Sequence, residues 1–210
     1  MAELTIKKII KKYGGNLILE FDEWIVSDGN YWIKGANGKG KTTLFKIIAG
    51  QVPFTGTIEI DDILLHKKPV EYRSKISYAE AEPQYPDFLT GNQLIDYIIS
   101  IKKTDRITAA RITDQFKMTA FINNKVGTYS SGMLKKLSLI LAFIGEADLY
   151  VLDEPLITID NDAANVLYQL ISNCQQQGKT VLISSHQELD RQKIAINGIF
   201  EIDNYRIIPC

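Results

Sequence analysis

The 210-residue sequence predicts an α/β fold, with a parallel sheet flanked by helices, a β-rich N-terminal subdomain and a helical insertion at about residues 90–145. Three observations predict it. In the last third, short apolar runs alternate with amphipathic helical stretches, the pattern of βαβ units around a parallel sheet. The first third is built from strand-like runs. The middle third, from Asn92 to about Met118, repeats at helical spacing.

The elements follow in order along the chain. "LTIKKII" and "NLILEFDEW" carry strand patterns, and "YWIKG" is an apolar run that ends in a glycine turn. A helix is expected from Lys41 to Ala49, stopped by Gly50. "GTIEID" and "SKISYAEAE" read as further strands, and "NQLIDYIISIKK" and "TAARITDQFKM" as helices. Ser131 to Gly145 reads as a helix that Ser130 caps and Gly145 ends. "DLYVLDE" is a short buried strand. The next stretch, "DAANVLYQLISNCQQQG", places Ala163, Val166, Leu167, Leu170, Ile171 and Cys174 on one helical face. "KTVLISSH" is a last buried strand.

Hydrophobic residues make up 45% and charged residues 23%, the ordinary balance of a globular domain with one core. The net charge of −1 argues against a nucleic-acid binder, which carries a clear basic excess. Cys174 and Cys210 form neither a zinc spacing nor a disulfide framework, so a reducing, cytoplasmic setting is expected. The N-terminal stretch "MAELTIKKIIKKYGG" has no apolar signal core. The longest apolar run, near "LSLILAFIG", is too short to span a bilayer, so any membrane crossing would belong to another chain.

Gly35-Ala36-Asn37-Gly38-Lys39-Gly40-Lys41-Thr42 fits G-x-x-x-x-G-K-[ST], with an apolar strand before it and an apolar helix after it. Glycines let backbone N–H groups turn inward into an anion nest, and the helix N-terminus adds a positive dipole end. Lys41 supplies a point charge for β- and γ-phosphates, and Thr42 a hydroxyl for Mg²⁺.

Asp153 and Glu154 follow "LYVL" at the C-terminal end of a buried strand, where ligands bind in an open α/β sheet. Asp153 is expected to hold Mg²⁺ through water. Glu154 would orient or deprotonate an attacking water. His186 ends the next buried strand at the same edge, where an imidazole can hydrogen-bond the γ-phosphate or hold the water. His66 has no assigned role.

Taken together, "GANGKGKTT", "LYVLDE" and "SSH" resemble the Walker A loop, the Walker B strand with its catalytic glutamate, and the switch histidine of the ATP-binding cassette family. "YSSGM" resembles that family's LSGGQ signature, one helix ahead of Walker B, and the likeness covers nearly the whole chain. Ser131 replaces the first signature glycine and Met133 the glutamine. The loop "AEAEP" resembles the one that contacts the metal through glutamine. The aligned residue is Glu82, or Ala81 in a register shifted by one. "LITID" keeps Asp160 of the loop after Walker B but not the small residues before it.

The resemblance implies one cassette over residues 1–210: a P-loop NTPase core with a parallel sheet, an N-terminal antiparallel β-subdomain and an inserted α-helical subdomain. It implies an ATPase subunit of a transporter that takes ATP and Mg²⁺. In that reading Tyr13 stacks on adenine, and Gly35 to Thr43 hold the phosphates. Thr42, Asp153 and Glu82 serve the metal, Glu154 activates water, and His186 senses the γ-phosphate. Ser130, Ser131, Gly132 and Asp160 act on the nucleotide of a second cassette packed head to tail. The implied partners are that second cassette, like or unlike, and a separate transmembrane permease, with no nucleic acid. The implied location is cytoplasmic, peripheral on the inner face of the cell membrane. Two alternatives share the motifs: a soluble ATPase of this type acting on nucleic acid or ribosomes, and a regulatory cassette with little turnover.

Overall fold

The computed structural model describes residues 3–210. Two sheets form. The first is antiparallel, in the order β2-β1-β4-β5, from β1 (Leu4–Tyr13), β2 (Asn16–Val26), β4 (Thr55–Ile60) and β5 (Ile63–Leu64). The second has the order β10-β9-β3-β8-β7-β6. Its parallel strands are β3 (Gly29–Lys34), β6 (Ile76–Ala79), β7 (Leu149–Asp153), β8 (Thr180–Ser185) and β9 (Gly198–Asp203). β10 (Arg206–Pro209) closes one edge antiparallel to β9. The α/β class with a parallel sheet and an antiparallel N-terminal sheet is as the sequence predicts.

Period-2 alternation in the buried strands sorts the helices. In β7, Leu149 and Val151 face one apolar cluster, and Tyr150 and Leu152 face another. In β8, Leu182 faces the first, and Val181 and Ile183 the second. The first cluster holds Leu44, Phe45, Ile47 and Ile48 of α1 (Lys41–Ile48), wedged between the two sheets. The second holds α3 (Gly91–Lys102), α4 (Arg106–Gln115), α5 (Ser131–Ile144) and α6 (Asn161–Gln176). These strands are apolar on both faces because helices or the second sheet cover both. The expected helical stretch therefore appears as α3 and α4, and α5 runs back under the sheet.

Caps set the helix starts. Ser130 accepts a hydrogen bond from the Met133 N–H at 3.3 Å, and Gly145 follows the last turn, as the sequence predicts. Thr90 and Gln93 form a capping box ahead of α3, and Asp105 caps α4.

α2 (Pro69–Ser74), β5, β9 and β10 extend the sequence reading. α2 is under two turns long, too short for a 3.6-residue period to register. β9 and β10 are largely half-buried or exposed, so their apolar content shows no clean alternation.

At the edge of the sheet away from the phosphate loop, Asp148 fastens the starts of three strands. Its carboxylate lies 2.7 Å from Lys75 Nζ, before β6, and 3.1 Å from Lys179 Nζ, before β8. Burial opposes ionisation of Asp148, but the two ammonium groups outweigh it and hold the carboxyl below the usual range. D148A is expected to lose about 1 kcal/mol at neutral pH in urea denaturation. A depressed folded pKa means that the contribution is complete above the ordinary carboxylate value. The gap between D148A and the native chain should therefore shrink as pH falls through the folded value. A pH-independent gap would contradict this assignment.

Candidate functional site

Three strand ends meet at one edge of the parallel sheet. β3 runs into the loop Gly35 to Gly40, β7 ends at Asp153, and β8 ends one residue before His186. Register sets their levels: Lys34 pairs with Ser185, and Asp153 with Ser184. By the same alternation, Asp153 and Ser184 lie on the α1 face.

The loop needs its glycines. Gly38 has φ +81°, and no heavy atom lies within 4 Å of where a Cβ would sit, so the space above it is open. Gly40 (φ +101°) precedes α1 without a side-chain cap, which leaves first-turn N–H groups of α1 available to an anion. Lys41 is buried. Its Nζ donates to the carbonyls of Gly35 (2.6 Å) and Ala36 (3.1 Å) and lies 3.3 Å from Glu154 Oε1.

Glu154 sits at φ +45°, a rare conformation for a side-chain-bearing residue, at the turn leaving β7. Its N–H donates to Ser184 Oγ at 2.9 Å. Oε2 accepts from the His186 backbone N–H at 3.3 Å and lies 3.0 Å from His186 Nδ1. Oε1 is buried without a hydrogen-bond partner and has only the Coulombic contact with Lys41. Asp153 is fully buried. Its Oδ1 accepts from the Ser184 hydroxyl at 2.5 Å, and its Oδ2 lies 3.5 Å from the Tyr78 hydroxyl. Burial, and then the Asp153 charge, push the Tyr78 phenol far up, so it stays a neutral donor.

A cleft of about 450 Å³ lies between these groups, lined by Gly38, Gly40, Lys41, Thr42, Thr43, Asn37, Ala81, Glu82, Glu154, Ile18 and Ile157. A second hollow of about 400 Å³ shares Thr42, Ala81 and Glu82. Ala81 and Glu82 both border the cleft, and Glu82 brings the carboxylate. Lys39 turns aside, 3.6 Å from Asp203.

Tyr13 lies outside the lining. It ends β1, 46% exposed, with Lys11 Nζ 4.2 Å from its ring centroid. Ser130 and Ser131 are exposed at the tip of α5 and do not line this cleft. Gly132 is packed so closely that a Cβ would lie 2.7 Å from the Thr158 carbonyl. Asp160 caps α6 through the Ala163 N–H (2.8 Å) and pairs with Lys136 at 2.5 Å. Those two contacts hold its carboxyl below the usual range.

Ser184 and Tyr78 escape sequence reasoning. One signal for Ser184 was available: two neighbouring apolar strands that end in "LDE" and "SSH" bring an acid and a serine level.

The fold and the site define a phosphate-loop protein with an acidic pair and a histidine at the same edge of the sheet as the loop. The family profile described as ABC transporter matches residues 23–157, and the chain belongs to that family. It is 32% identical to the ABC transporter ATP-binding protein NatA of Bacillus subtilis over 160 residues, 73% of this chain and 65% of NatA. Identity to the ABC-type transporter ATP-binding protein EcsA of the same organism is 28%, over 89% of this chain and 78% of EcsA. The chain spans just under two thirds of NatA and 63% of a Nod factor export ATP-binding protein I of Burkholderia orbicola. A solved ATP-binding subunit of an ABC transporter superposes with a TM-score of 0.88 at 23% identity, over 97% of this chain and 87% of that one.

S184A removes the donor to Asp153 and the acceptor of the Glu154 N–H. It is expected to destabilise the chain by about 2 kcal/mol, because two buried polar groups lose their partner. Unchanged urea unfolding would contradict the network.

Proposed function

We propose that the chain is the ATP-binding and ATP-hydrolysing subunit of a transporter, coupled to a separate transmembrane subunit. The observation that carries this reading is the cleft in which Lys41 and the unsatisfied Glu154 Oε1 face an open glycine loop. A nucleoside triphosphate with its attacking water suits both. Its phosphates give Lys41 an anion in place of the neutral loop carbonyls, and the water gives Glu154 Oε1 the donor it lacks. Gly35 to Thr43 cradle the phosphates through backbone N–H groups and the α1 terminus.

Mg²⁺ fits the donor set of Thr42, Asp153 and Glu82, hard oxygen groups of which Thr42 and Glu82 line the cleft and Asp153 is fully buried next to Glu154, which also lines it. When bound, the ion would supply neutralisation of charge on the phosphate oxygens. Ser184 engages Oδ1 of Asp153 at 2.5 Å, and Oδ2, held only by the longer 3.5 Å contact with the Tyr78 hydroxyl, is the oxygen that would turn to this use. Glu154 orients or deprotonates the water that attacks the γ-phosphorus, and the bond to ADP breaks. His186 holds Glu154 through Nδ1, and in this reading it senses the γ-phosphate.

Ser130, Ser131 and Gly132 form a tip that does not border the chain's own cleft, so they serve the nucleotide of a second cassette. Asp160, engaged by Lys136 and its own helix, supports that contact by placing its loop. Tyr13 offers its remaining face to adenine. The residues form one cassette, with α3 to α5 and the loop from Glu82 to Leu89 passing motion to the membrane subunit. The working location is cytoplasmic, peripheral at the membrane.

E154Q is expected to keep ATP binding and to leave a stable ATP-bound dimer. Its steady-state phosphate release should fall by about 10²–10⁴-fold, the usual contribution of a positioned base. Unchanged turnover would contradict the role given to Glu154.

A further inference from the structure

Three lysines are buried among the described residues: Lys11, Lys41 and Lys135. Lys41 belongs to the phosphate loop, and Lys11 bonds the Pro53 carbonyl beside Tyr13. Lys135, only 1% exposed in the second turn of α5, is the unexplained one. Its Nζ donates to the carbonyls of Glu80 (2.7 Å), Ala81 (2.9 Å) and Asp153 (3.0 Å). An ammonium has three protons, and all three are used. None of the partners is a carboxylate.

The placement has a structural logic. The β6–β7 ladder ends where Ala79 pairs with Leu152. Glu80, Ala81 and Asp153 lie just beyond that last rung, and Lys135 takes up their carbonyls. Burying an ammonium against neutral groups is costly, and the three carbonyls that it satisfies offset that cost. Burial draws the Lys135 ammonium down to about 8, against the pull of Asp153, Glu154, Glu80 and Glu82. The three carbonyls also share a location. Two open the loop that carries Glu82, and the third belongs to Asp153 itself.

We propose that Lys135 is a positioning residue that fixes the Glu82 loop against the Asp153–Glu154 strand end and fastens both to the helix beginning at Ser130. The site for the chain's own nucleotide and the exposed tip for another's are thereby linked by one side chain. This inference rests on the reading of the site given above, so its test includes a measurement that needs no nucleotide.

K135M keeps the length of the side chain and removes every donor, whereas K135Q retains two. Amide hydrogen exchange of residues 80–82, followed by mass spectrometry without nucleotide, is expected to accelerate about tenfold in K135M, with partial recovery in K135Q. Binding of a fluorescent N-methylanthraniloyl ATP without Mg²⁺ should stay within about threefold of the native chain, while the Mg²⁺ midpoint of the complex rises about tenfold, as when an outer partner of a metal ligand is lost. Native exchange at 80–82 in both variants would overturn the proposal. So would faster exchange with an unchanged Mg²⁺ midpoint, which would leave Lys135 a purely structural role. If K135M does not fold, native exchange and a native Mg²⁺ midpoint in K135Q overturn it equally. A native chain that binds the analogue with Mg²⁺ but releases no phosphate would contradict the hydrolytic reading alone.

Discussion

The contact on which the rest of the site depends is between two buried, opposite charges. Lys41 Nζ and Glu154 Oε1 lie 3.3 Å apart across the cleft, and the carboxylate oxygen has no hydrogen bond. A buried charge needs a partner, and here the pair supply one another incompletely. Each has a second anchor that keeps it in place: loop carbonyls for Lys41, and His186 with the Ser184 hydroxyl for Glu154. The arrangement holds a cation and a carboxylate at a fixed separation; in the proposed function, a phosphate anion entering between the loop and the strand ends separates them. The parallel sheet makes this possible by delivering β3, β7 and β8 to one edge, each with its polar residue just past the last apolar one.

Much of this was legible because the chemistry and the local pattern coincide. The glycine loop, Asp153, Glu154 and His186 each stand at the end of an apolar run, and the strands they end are the buried ones. Ser130 could be read as a cap because a serine stands directly ahead of a long apolar helix. Ser184, Tyr78 and Lys135 could not be read in the same way. Serine and tyrosine in a strand, or lysine in a helix, are ordinary by composition. Their roles come from register: Ser184 is level with Asp153, and Lys135 is level with the end of the β6–β7 ladder. Strands β9 and β10 were hidden because partial burial gives no clean alternation. The aromatic Tyr13 was easy to single out, but its neighbour Lys11 already covers one face, and the cleft wall at that end is Ile18.

α5 connects the parts. Its exposed start carries Ser130 and Ser131, its second turn carries Lys135 beneath the carboxylate strand, and Lys136 reaches Asp160 at the start of α6. Gly132 lets the helix start press against the Thr158 carbonyl, where no side chain fits. A displacement at the tip is therefore felt at the loop after Asp153–Glu154 through the close approach of Gly132 to Thr158 and through the Lys135 and Lys136 side chains. The proposed cycle needs such a coupling: the tip answers to another chain's nucleotide and the carboxylates to the chain's own.

The central claim is that the Lys41–Glu154 contact holds a place for a nucleotide. A crystal structure of the native chain with Mg²⁺ and a non-hydrolysable ATP analogue tests it most directly. The account predicts that Lys41 Nζ leaves the Gly35 and Ala36 carbonyls and Glu154 Oε1 for phosphate oxygens, with Glu154 Oε1 turned toward the terminal phosphate. A nucleotide bound while Lys41 still contacts Glu154 and the loop carbonyls would contradict it.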